Sequence, residues 1–65
     1  MPPKIRELIA MLISAGFVDR GGKGSHRNFT HLRCGRPITI SGSQGDDAKK
    51  YQIRQVETVI KESKG

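Results

Sequence analysis

Ile5, Leu8, Ile9 and Leu12 recur at i, i+3, i+4 and i+7, the spacing of one apolar face of an amphipathic helix. The pattern predicts a helix over residues 4–15. Pro3 suits its first turn, where a missing N–H is not needed. Gly16 reads as the left-handed cap at its end. Phe17 can then fold back onto the last turn as the apolar contact of a Schellman motif.

After Gly16 the helical spacing stops. Residues 17–20 read as a short strand, and Gly21-Gly22-Lys23-Gly24-Ser25 as a glycine-rich hairpin turn. A second strand over 26–32 would point Phe29 inward and Asn28 and Thr30 outward, because strand side chains alternate. A turn around Gly35 leads to a third strand over 37–41, where Ile38 and Ile40 alternate with Thr39. Residues 42–47 are polar and form a loop. From 48 to 62 the helical period returns, with Ile53, Val56 and Ile60 on one face and Val59 beside them. Asp46 or Asp47 is the expected N-cap, Tyr51 is expected to pack at the helix start, and residues 63–65 are expected to fray.

The order helix, three strands, helix predicts an α+β domain over residues 1–65. Two helices would cover one face of a three-stranded antiparallel sheet and leave the other face open. The same α-β-β-β-α order is that of double-stranded-RNA-binding domains, although a fold does not by itself fix a function.

Composition narrows the setting. A chain of 65 residues with an apolar fraction of 34% has only a thin core. A partner that binds the folded form alone would add to its stability. Cys34 is the one cysteine, so no internal disulfide exists. The cysteine and two histidines do not have zinc-ligand spacing. The apolar run from Leu8 to Ile13 is too short to span a bilayer. Glu7 interrupts the early segment against a signal peptide, and the expected location is the cytoplasm. Twelve Lys and Arg against six Asp and Glu give a net charge of +6, which favours a polyanionic partner.

Chemistry concentrates in Lys23-Gly24-Ser25-His26-Arg27-Asn28-Phe29. Glycines before a strand let the backbone approach a ligand closely. Exposed N–H groups in such a turn, with Lys23, Ser25 and Arg27 alongside, suit a phosphate. An imidazole exchanges protons near neutral pH. Beside an RNA phosphate, His26 could act as general acid or base while the 2′-hydroxyl attacks its own phosphodiester, a reaction that needs no metal. Lys49, Lys50 and Arg54 form a candidate second basic strip on the last helix.

The ordered set of these features resembles the HicA (YcfA-like) toxin family. The first helix, Gly16-Phe17, and Lys23-Gly24-Ser25-His26 running into Phe29 are similar to that family's Gly-Ser-His motif and its setting. Tyr51-Gln52-Ile53-Arg54-Gln55-Val56 resembles the family's closing helix, which commonly carries an Arg at the place of Arg54. The resemblance implies a double-stranded-RNA-binding-domain-like fold and metal-independent cleavage of messenger RNA with His26 as the catalytic residue. It also implies inhibition by a HicB-type antitoxin that covers the active face. Arg27 stands where many members carry a second histidine, which leaves a single-histidine mechanism. The segment 42–50 differs from the shorter connection of many members.

Other residues read as structural. His31 is expected to be a half-exposed strand residue that does not converge with His26. Phe17 and Phe29 are expected in the core rather than as base-stacking platforms. Cys34 has no partner base in the sequence to activate it. Two other functions compete with the nuclease: an RNA-binding module of the same fold without catalysis, and a protein-binding domain whose charge serves an acidic partner.

Overall fold

The computed structural model of the chain describes residues 2–24 and 26–64, and at residue 36 the backbone alone. Helix α1 spans Ile5–Ser14, strand β1 Val18–Gly21, β2 Arg27–His31, β3 Cys34–Ile40, and helix α2 Lys50–Lys64. The strands form one antiparallel sheet in the order β1-β2-β3. Helix α1 packs on α2 and on β1, and α2 packs on β3, so both helices lie on the same face. This is the α+β arrangement that the hydrophobic pattern predicts.

The core lies between these layers. Ile5, Leu8 and Leu12 enter from α1, Phe29, Ile38 and Ile40 from the sheet, and Val56 and Val59 from α2, with Phe17 and Cys34 also buried. Phe29 pairs with Ile38 across the β2–β3 ladder, so two inward residues meet directly. On the opposite face Thr39 Oγ1 donates to Asn28 Oδ1 at 2.6 Å, and Arg20 Nε donates to Thr30 Oγ1 at 3.1 Å. Pro37 is tolerated in β3 because that strand is an edge, paired among the described residues with β2 alone.

Helix α1 ends as expected. Gly16 adopts φ +97°, its N–H donates to the Ile13 carbonyl, and the Phe17 N–H donates to the Leu12 carbonyl, both at 3.0 Å. That is the bond pair of a Schellman motif, and Phe17 and Leu12 supply its buried apolar contact. Phe17 therefore belongs to the cap, and β1 starts one residue later than predicted.

The N-termini differ from expectation. Asp46 and Asp47 do not cap α2. They belong to a loop that closes over the start of α1, where four N–H groups lack helical partners. The Asp46 carbonyl accepts from Ile5 N–H at 2.9 Å, and the Gln44 carbonyl accepts from Arg6 N–H at 3.1 Å. Lys4 Nζ pairs with Asp47 Oδ1 at 2.6 Å, and the Glu7 carboxylate accepts from the Lys4 backbone N–H. At α2 the Gln52 side chain takes the cap role instead. Its Oε1 accepts from Lys49 N–H and its Nε2 donates to the Ser41 carbonyl, each at 2.8 Å.

Gln52, Val56, Val59 and Ser63 are the buried residues of α2, while Ile53 and Ile60 flank them, half-buried. The inward stripe is thus rotated from the one that Ile53, Val56 and Ile60 predict. Residues 63 and 64 do not fray: Ser63 is buried and donates to the Ile60 carbonyl at 2.6 Å. Tyr51 is more than half exposed rather than packed.

Candidate nucleic-acid interface

The connection between β1 and β2 is shaped by its glycines. Gly21 takes φ +77° and Gly24 φ +59°, both in the left-handed region. Gly22 has a different reason to lack a side chain: a Cβ there would lie 2.1 Å from the His26 carbonyl oxygen. The His26 N–H donates to the Lys23 carbonyl at 3.0 Å, which closes a turn with Gly24 at its first central position. A positive φ at that position marks the primed turns that suit hairpins. His26 leaves this turn as an exposed residue immediately before β2, which begins at Arg27 rather than at His26. Ser25 lies outside the described residues.

Arg27 carries the next side chain. Its Nη1 pairs with Asp19 Oδ2 at 3.1 Å across the β1–β2 ladder. The other carboxylate oxygen, Oδ1, accepts the Gly21 N–H at 2.7 Å, where β1 bulges around Arg20. Asp19 thus fixes both the start of the turn and the neighbouring guanidinium. No sequence motif announced that pairing. Arg27 is still about two-fifths exposed, so further guanidinium N–H groups face solvent.

The topology brings three segments together at this end of the sheet. Arg27 pairs with Ile40, the last residue of β3, so the His26 turn and the start of the β3–α2 loop share one edge. That loop closes over the start of α1 through the Lys4–Asp47 bridge. Both helices therefore begin here, and at α1 the first N–H groups are already met by the Asp46 and Gln44 carbonyls. Gly24 and Arg27 line a cleft with Ile5, Ile9, Ile40, Gly42, Ser43 and Gln44. Lys49 lines an adjoining hollow with Gly42 and Gln52. Lys23, Lys49 and Lys50 are exposed.

Arg54 stands one turn beyond Lys50 on the same side of α2. It lines a separate groove against Pro37, Ile38 and Thr39 of β3, with a volume of about 470 Å³. The basic strip thus runs from the loop end of the molecule down the β3 edge. Ser43 and Gln44 join Gly24 of the turn in one cleft, although the sequence pattern points to neither. Only the closure of the β3–α2 loop over α1 brings them there, and that is a long-range contact.

His31 goes elsewhere. It is the last residue of β2, at the far end from His26. Its ring packs on Phe17 with centroids 4.9 Å apart, and its Nδ1 accepts the Arg33 N–H at 2.9 Å. Cys34 is 7% exposed within the core. Among the described residues no cluster of three or more His, Cys, Asp or Glu could hold a metal ion, and no helix is long and apolar enough to cross a membrane.

No curated protein and no solved structure matches the chain. The family model of the HicA toxin of bacterial toxin–antitoxin systems matches residues 5–64. That span takes in both helices and all three strands, and the chain belongs to the HicA toxin family of bacterial toxin–antitoxin systems.

Proposed function

We propose that this toxin is an endoribonuclease that cleaves messenger RNA in the cytoplasm without a metal, with His26 as its general acid/base. The observation that carries the reading is the placement of an exposed imidazole on a glycine-shaped turn beside Arg27, at the end of the sheet where both helices begin. Membership of a toxin family supplies the context, because the cell's messages are a polyanionic target that a basic domain can damage.

In the proposed reaction, Lys23, Ser25, Arg27 and the Gly24 backbone hold one phosphodiester. Lys49, Lys50 and Arg54 hold the strand further along. His26 takes the proton of the 2′-hydroxyl, the 2′-oxygen bonds to phosphorus, and the bond from phosphorus to the 5′-oxygen breaks. Water returns a proton to the departing 5′-oxygen. The ends produced are a 2′,3′-cyclic phosphate and a 5′-hydroxyl. DNA, which has no 2′-hydroxyl, is spared.

One imidazole acting in acid–base catalysis contributes a factor of ~10²–10⁴ in rate. The toxin is therefore a slow nuclease, sufficient to inactivate messages. A toxin of this family has a cognate antitoxin. The proposed inhibitor is HicB-like and acts by covering the basic end around His26.

The test uses purified wild-type protein and His26→Ala on RNA with a chelator present. Wild type should leave cyclic-phosphate ends, and His26→Ala should bind RNA but cleave it ~10²–10⁴-fold more slowly. Intact RNA with the wild-type protein free of antitoxin would leave a binding module and remove the nuclease.

A further inference from the structure

The geometry points to a nucleobase subsite beside the His26 turn, walled by Gly24 and Arg27 on one side and by Gly42, Ser43 and Gln44 on the other. This deepens the nuclease reading and rests on it for the assignment of RNA as the ligand. The cleft has a volume of about 290 Å³. Ile5 and Ile40 close its floor and are themselves almost fully buried, while Ile9 is half-buried. Most of the surface left open to a ligand is therefore polar, contributed by the Arg27 guanidinium and the Ser43–Gln44 segment.

The occupant follows from that chemistry. Ser43 and Gln44 are exposed, and among the described residues their side chains make no hydrogen bond. A hydroxyl and a carboxamide together offer donors and acceptors, which is what the edge of a base requires. The guanidinium plane of Arg27 offers a stacking surface of the kind that holds unstacked bases in single-stranded RNA. An apolar side chain of a protein partner finds little to bury here, because Ile5 and Ile40 are already covered and only Ile9 keeps some exposure. A second phosphate finds no further cation among the described residues of the cleft, because Arg27, its one cationic wall, already faces the phosphodiester of the proposed reaction. The base of a nucleotide whose phosphate rests against Lys23 and the Gly24 backbone fits both the position and the lining.

The wall is also held in place before any ligand arrives. Ser43 N–H donates to Asp46 Oδ2 at 3.1 Å, and Asp46 N–H donates back to the Ser43 carbonyl at 2.9 Å. The Gln44 carbonyl accepts from Arg6 at the start of α1 at 3.1 Å. A backbone fixed in this way loses little conformational freedom on binding, so a single base can be discriminated with few contacts. The subsite makes residues 42–44 the determinant of which nucleotide lies next to the cleaved bond.

The test is an amide NMR titration of the full chain with each of the four 3′-nucleoside monophosphates and with ribose phosphate as the base-free control. The four nucleotides should shift the Gly24, Gly42 and Gln44 amides with unequal affinities. Ribose phosphate should leave Gln44 unmoved. Gln44→Ala should shrink the spread between the best and worst nucleotide by about three- to ten-fold, the range for one neutral hydrogen bond. Equal affinities for the four bases, or an undisturbed Gln44, overturns the subsite. So does a Gln44→Ala change that leaves the four affinities alone and weakens only the antitoxin complex. No cleavage is needed for this readout. A wild-type protein that is base-selective but inert on RNA supports the subsite and refutes the nuclease. One that cleaves but is base-blind does the reverse.

Discussion

A side chain on Gly22 would collide with the backbone of His26: the first carbon alone would stand 2.1 Å from the His26 carbonyl oxygen. The obstacle is main chain on both sides, so rotamer adjustment cannot relieve it. Gly22→Ala must push the turn open and carry His26 with it. Such forced shifts cost about 1–3 kcal/mol. In urea denaturation the variant should lose stability in that range, and it should lose RNA cleavage by more than its folded fraction explains. Gly35→Ala is the control. Nothing lies within 4 Å of a Cβ there, so stability should stay within about 0.5 kcal/mol of wild type.

Asp19 restrains a cation that RNA would use. Its Oδ2 holds Arg27 while its Oδ1 holds the Gly21 N–H. Asp19→Asn keeps an acceptor for Gly21 and removes the negative charge. The pair is partly solvated, so the cost in stability should be no more than about 1 kcal/mol. RNA should bind more tightly, by about two- to five-fold at low salt, since one repulsive charge is gone near the proposed phosphate site. Fluorescence anisotropy at two salt concentrations checks this, with the gain shrinking as salt screens it. Weaker binding would mean that Arg27 needs Asp19 to aim it.

These two cases show what the sequence could and could not reveal. Element order, the Schellman end at Gly16-Phe17 and the inward set Phe29, Ile38 and Ile40 follow from local spacing, and local spacing is what a sequence displays. The glycine-rich connection before β2 is likewise local, although His26 closes its turn and the spacing assigns His26 to the strand. Gln52 is the instructive miss. A carboxamide at a core position breaks the apolar stripe, so the spacing points to Ile53 and Ile60 instead. Its burial makes sense only with the Ser41 carbonyl and the Lys49 N–H beside it. The same holds for Asp46 and Asp47. A sequence shows acids before a helix and suggests a cap, but here the loop turns back to α1, at the other end of the chain. Ser43 and Gln44 reach the candidate site by that same fold-back.

Gln52 also yields a stability prediction. It is 3% exposed and satisfies two backbone groups from different segments. Gln52→Leu preserves the bulk but removes two part-buried hydrogen bonds, leaving the Ser41 carbonyl and the Lys49 N–H without this partner. An unmet buried hydrogen bond costs about 1–3 kcal/mol, more than the added apolar burial returns. The urea midpoint should fall accordingly. Amide exchange at Lys49 should speed up, because its acceptor is gone. A variant as stable as wild type with an unchanged Lys49 amide would show that the bridge contributes nothing.

The two histidines should separate cleanly into a chemical and a structural role. His31 touches Phe17 with its ring and accepts the Arg33 N–H, so its proton sits on the other nitrogen and its position is fixed by the core. Removing that ring forfeits an aromatic contact and a hydrogen bond, about 1–2 kcal/mol together. In a domain of this size each kcal/mol lowers Tm by roughly 4–8 °C. His31→Ala should therefore melt measurably earlier and yet cleave at the wild-type rate per folded molecule. His26 is exposed, and its side chain makes no hydrogen bond among the described residues. His26→Ala should melt with wild type and lose ~10²–10⁴ in cleavage. Because the residues stand at opposite ends of β2, the double variant should show the sum of both effects, the Tm shift of one and the rate loss of the other. If His31→Ala instead depresses the rate per folded molecule as far as His26→Ala does, both imidazoles take part in the reaction and the single-histidine mechanism fails.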